Sequence, residues 1–81
     1  MSIERLQMKG RLSDLRKKEK QLDCDASGRI ALIRQILDPY EDDVTRIAVD
    51  QAALEAKKLE EIVTELRDTR IKIDRLERDL E

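Results

Sequence analysis

Between Leu59 and Leu80 the residues Leu59, Ile62, Leu66, Thr69, Ile73, Leu76 and Leu80 follow one another in steps of three and four. That is one face of an α-helix repeating every seven residues, and Thr69 is its only polar member. Backward from Leu59 the same face continues through Glu55, Ala52, Ala48 and Val44, smaller and wetter. The first half carries a second stripe at helical spacing: Met8, Leu12, Leu15, Leu22, Ala26, Ile30, Ile33, Ile36 and Leu37, interrupted by Glu19 and Arg29. Acid-before-base pairs four apart (Asp14/Lys18, Asp42/Arg46, Asp68/Lys72, Asp74/Arg78) suit the outer surface.

Composition narrows the class further. The 81 residues hold two glycines, one proline and one tyrosine as the only aromatic, while 44% are charged. Turn formers are too few for a β-sandwich or barrel. The regular return of Leu, Ile and Val argues against a disordered chain. The expectation is one all-α domain over 1–81.

A break is written near the middle. Asp38 suits a cap, Pro39 suits the first helical position where no N–H is needed, and Glu41 stands three after the cap. Glu41, Asp42 and Asp43 sit where the helix dipole favours negative charge, and the residue before a proline avoids helical geometry. These signals predict a helix over about 3–37, a turn at 38–39 and a helix over about 39–81. The arms match in length, so an antiparallel two-helix hairpin of coiled-coil-like packing is preferred to one helix kinked at Pro39. Folding about Asp38-Pro39 pairs Ile33 with Val44, Ile30 with Ala48, Leu15 with Ile62 and Leu12 with Leu66. Glu19 then lies beside Leu59, and Glu55 beside Leu22. A second weak point is Asp23-Cys24-Asp25-Ala26-Ser27-Gly28, where a three-helix arrangement would break.

The hairpin seam is expected to be built by Leu12, Leu15, Leu22, Ile33, Leu59, Ile62, Leu66 and Ile73. One seam leaves a thin core, and chains this short are often rescued by oligomerisation. Ile3, Leu6, Leu32, Ile47, Val49, Leu54 and Ile71 fall off the seam. Four of them, Leu32, Ile47, Val49 and Leu54, cluster near the turn as a candidate dimer or partner face. A homodimer forming a four-helix bundle uses them most economically.

The chemistry this sequence excludes is as informative. No histidine means no imidazole base or ligand, and a single cysteine excludes an internal disulfide and a Cys-rich zinc site. Cys24 lies between two aspartates, which blunts a thiol. No Gly-rich phosphate loop or paired-carboxylate cleft is present, and a hairpin offers no concave pocket for a substrate. A non-catalytic chain without cofactor or metal is expected. The acidic tip, Asp38, Tyr40, Glu41, Asp42 and Asp43, is a candidate contact, although first-turn acids also cap helices. Glu19, Arg29 and Glu55 on the apolar faces either specify register or snorkel out at the edge of the seam.

Residues 1–22 carry seven Lys/Arg against three Asp/Glu, while the whole chain carries a net −2. The basic residues Arg11, Arg16, Lys17, Lys18 and Lys20 point several ways round a helix, with no aromatic to stack on a base. Nucleic acid, membrane and small-molecule substrates are therefore disfavoured as partners. Glu4, Arg5, Lys9 and Arg11 interrupt any apolar leader core, so a cytoplasmic setting is expected. The leading reading is a protein–protein interaction or structural module that associates with itself as a homodimer or tetramer. The alternatives are a regulatory adaptor whose acidic tip docks into a larger protein machine, and a nucleic-acid accessory protein using the basic N-terminal helix.

Overall fold

A computed structural model describes residues 2–81. The protein is an all-α hairpin: helix α1, Ile3–Ile36, packs against helix α2, Val49–Leu80, and a loop containing the short 3-10 turn Val44–Arg46 joins them. The hairpin is a rod of 64 × 15 × 14 Å. Ser2 caps α1, its hydroxyl accepting the Arg5 amide at 3.1 Å. At the open end the Arg5 guanidinium donates to the Leu80 carbonyl at 2.7 Å, tying the start of α1 to the end of α2.

Helix α1 runs unbroken through Gly28, so neither the three-helix arrangement nor a single kinked helix occurs. Both helices bury one seam that keeps a seven-residue repeat along the rod. In α1 it comprises Met8, Leu12, Leu15, Glu19, Leu22, Ala26, Arg29, Ile33 and Ile36, all buried or half-buried. In α2 it comprises Ala52, Glu55, Leu59, Ile62, Leu66, Thr69, Ile73, Leu76 and Leu80, likewise buried or half-buried. Ile30 and Leu37, expected in the stripe, lie outside it and are exposed. A strict seven-residue repeat keeps Ile36 from the expected stripe and takes Arg29, expected to interrupt it, into the seam.

The turn differs from the one the sequence predicted. The second helix begins at Val49, ten residues beyond Pro39, and residues 37–48 form the connection. The cause is local. The Asp38 carboxylate accepts the Tyr40 amide at 3.0 Å, and the Glu41 carboxylate accepts the Asp43 amide at 3.1 Å. Asp43 accepts both the amide (3.0 Å) and the hydroxyl (2.6 Å) of Thr45, capping the 3-10 turn. Each acid satisfies the backbone two residues on, which offers the chain an alternative to helix. The expected capping box therefore does not form, and α2 is preceded at its N-cap by Ala48, which offers no side-chain cap.

A longer connection moves the register. Arg70 Nε donates to Glu19 at 3.1 Å, eleven positions beyond the Leu59 expected there. Glu55 pairs with Arg29 instead of lying beside Leu22, seven positions away. Seven and eleven residues are close to two and three helical turns, so the slipped register still turns the same faces inward. The expected pairs Ile33/Val44 and Ile30/Ala48 are lost, since Val44 and Ala48 are both exposed.

Two substitutions test this packing. Leu66→Ala should cost about 2–5 kcal/mol in urea unfolding, the usual range for a truncated buried leucine. Gly28→Ala should add about 0.5–1 kcal/mol, because glycine weakens a helix interior and a Cβ there meets nothing within 4 Å.

Candidate interaction surface

The polar groups inside the seam are all spoken for. Thr69, the least exposed residue described at 2%, donates its hydroxyl to the Glu65 carbonyl one turn back at 2.8 Å. Glu55, 7% exposed, is held by the Arg29 guanidinium from the opposite helix and by Lys58 at 3.4 Å. The hydrogen bond from Arg29 holds the Glu55 carboxyl below the ordinary glutamate value, and the charges of Lys58 and Arg29 add to this against the opposing effect of burial. Glu55 does not snorkel: its charge stays within the rod and is met there.

Two flanks run beside the seam. Lys18 and Glu65, each one residue before a seam position, form an ion pair at 2.8 Å across one of them. On this flank Arg11, Asp14, Lys72 and Arg75 edge a shallow groove floored by Leu15 and Leu76. Towards the loop the same flank carries Leu32, which is half-buried, and Leu54.

The opposite flank consists of the residues four after Leu12, Glu19, Ala26 and Ile33 in α1, and four after Leu59, Leu66 and Ile73 and their equivalents in α2. Towards the open end it is charged. Arg16 binds Glu77 at 2.9 Å, and Arg70 reaches Glu19. Arg16, Glu19, Lys20, Arg70, Asp74 and Glu77 share a groove with Ile73 there. Towards the loop the same positions become Ile30 and Leu37 in α1 and Val49, Ala56 and Val63 in α2. Ile30, Leu37 and Val49 are exposed, and Val63 is half-buried. One half of one flank is thus a continuous uncharged strip.

The tip beyond it is polar and open. Tyr40 is 90% exposed and packs on nothing across the hairpin end. Asp38, Asp42 and Asp43 are exposed beside it, and Glu41 is half-buried. The hydroxyl and amide of Thr45 hold the Asp43 carboxyl below the usual carboxylate range. Cys24 is a free, exposed thiol. Among the described residues no three Cys, Asp or Glu side chains converge on one point. No helix is long and apolar enough to cross a membrane.

The structure places Leu12, Leu22, Leu66 and Ile73 in the buried seam and leaves Leu15, Ile33, Leu59 and Ile62 half-buried along it. The four residues expected to share a second face do not share one. Val49 lies on the uncharged strip, Leu32 and Leu54 on the opposite flank, and Ile47 is half-buried in the loop. Sequence reasoning missed Ile30, Leu37, Ala56 and Val63 as surface residues. Carrying the repeat of Leu59–Leu80 back in sevens from Val63 to Ala56 and Val49 was the signal that would have found the α2 half.

The lowered Glu55 value has a sign. Glu55 stabilises the hairpin at all pH above its unfolded-chain value, about 4.3. That contribution is lost as the pH falls through the lower folded value. In urea titrations, Glu55→Gln should lower the midpoint at pH 7, and the gap to wild type should close as the pH drops below about 4. A gap that persists unchanged at low pH would mean the carboxylate charge is not what Arg29 stabilises. Comparison of the chain with protein-family models, with curated proteins and with solved structures gives no match in any of the three.

Proposed function

We propose that this chain is a non-catalytic protein–protein interaction module that associates with itself, its coiled-coil-like stem presenting a lateral surface to a second copy. The uncharged strip of Ile30, Leu37, Val49, Ala56 and Val63 carries this reading. A two-helix hairpin standing alone needs only a narrow seam, with charged residues on both flanks, as the open half has here. Helices in a four-helix bundle add a third apolar position per repeat, on one flank of the seam. The loop half of this rod has that wider pattern and the open half does not. The hairpin's own core is small, with no large side chain wholly buried, so covering the strip would add appreciably to its stability.

The absence of histidine and the shallowness of the grooves, which lie open along the rod, fit a chain that binds and does not catalyse. A second reading keeps the adaptor in view: the Tyr40 ring and the Asp42 carboxylate stand exposed at the tip, as an anchor for another protein would.

Sedimentation equilibrium over a wide concentration range separates the two. Self-association predicts a dimer or tetramer for the wild type. Ile30→Glu and Val49→Glu should each shift it strongly to monomer, whereas Leu54→Glu, 56% exposed on the other flank, should leave it unchanged. A wild type that stays monomeric and helical throughout would remove the self-association reading and leave the tip as the contact.

A further inference from the structure

We infer that the second copy lies antiparallel along the uncharged strip, with its acidic loop seated over Lys20 and Arg67 of the first. The inference rests on the self-association proposed above and adds its geometry. The strip is centred on the level of Ile30 and Ala56, since Leu37 and Val49 lie one repeat towards the loop and Val63 one repeat away from it. A twofold axis perpendicular to the rod at that level superimposes the two strips and makes both contacts identical.

The dimensions then decide where the loop falls. Helix α1 continues six residues beyond Ile30, about 9 Å at 1.5 Å per residue. The 34 residues of α1 account for about 51 Å of the 64 Å rod, so the loop reaches at most about 13 Å further. The partner's loop therefore occupies a band from about 9 Å to at most about 22 Å past the axis. Lys20, ten residues from Ile30, lies about 15 Å past it, and Arg67, eleven residues from Ala56, about 16 Å.

Lys20 and Arg67 share that level, because Lys18 and Glu19 reach Glu65 and Arg70 across the seam. Both also border the strip's flank, each one residue after a seam position, Glu19 and Leu66. Lys20 lines the groove with Arg70 and Asp74, and Arg67 stands one repeat before Asp74. Among their neighbours Arg16 is matched with Glu77, Arg70 with Glu19 and Arg78 with Asp74, while Asp23, three residues after Lys20, is an exposed acid with no ion pair among the described residues. Neither Lys20 nor Arg67 has an ion-pair partner among the described residues. The loop that arrives carries Asp38, Glu41, Asp42 and Asp43, and the Asp42 carboxylate accepts no hydrogen bond among the described residues. Two unmatched cations thus lie where the strip's symmetry delivers an acidic loop. A parallel dimer would instead set the two acidic loops side by side, which like charge opposes.

Charge exchange tests this arrangement. Asp42→Lys and Lys20→Glu/Arg67→Glu should each weaken the dimer about three- to tenfold at low salt, with the difference fading in concentrated salt. An equimolar mixture of the two variants should associate more tightly, as a heterodimer, than either variant alone. In that heterodimer one contact is native and the other sets the introduced lysine against the introduced glutamates. Circular dichroism of each variant should show unchanged helix content, and recovery in the mixture shows independently that both still fold. A dimeric wild type whose variants associate normally, or whose mixture is no tighter than either variant alone, overturns the antiparallel seating and leaves self-association standing. A wild type that is monomeric at all concentrations overturns both.

Discussion

Every tertiary contact between elements of this protein passes through a single seam between two helices. Such a seam is narrow, and both edges lie within reach of solvent. That geometry explains why a carboxylate can be accommodated at Glu55: Arg29 crosses from the other helix, while Lys58 comes from one turn along its own. A buried pair of this kind contributes less as raw stability than as a register mark, because any other alignment leaves a charge without its partner. Glu19 and Arg70 repeat the arrangement nearer the open end.

Register in turn depends on the loop. Asp38, Glu41 and Asp43 each engage a backbone group two residues on, and together they hold residues 37–48 out of either helix. Lengthening the connection slides one helix along the other, which sets which charges meet. The uncharged strip follows from the seam itself: with Arg29 and Ile36 in it, Ile30 and Leu37 turn to the flank, where α2 supplies Val49, Ala56 and Val63.

The functional reading grows from that division of the rod. The open half closes on itself through ion pairs along both flanks and through the Arg5 contact with Leu80. The loop half keeps apolar side chains outside and ends in a cluster of carboxylates. A rod with one self-sufficient half and one unsatisfied half is suited to pairing with its own kind, provided that the acidic tip meets positive charge. In the proposed dimer, the distance from the strip to Lys20 and Arg67 is what would set the partner's loop over those two cations.

Two long helices bent back into a hairpin were legible in the residues alone, because helical periodicity is a local property written into every turn. It also named most of the seam, since Leu12, Leu22, Leu66 and Ile73 hold their faces in either register. Where α2 begins and which residues face one another emerge only in the folded chain, because a slip of two or three helical turns preserves every inward face. The pattern of hydrophobic residues is nearly indifferent to it, and the choice falls to a few side-chain bonds in the loop and a few charges in the seam. Asp38 and Pro39 read locally as the start of a helix. In the folded chain their neighbours find closer partners, and the helix waits until Val49.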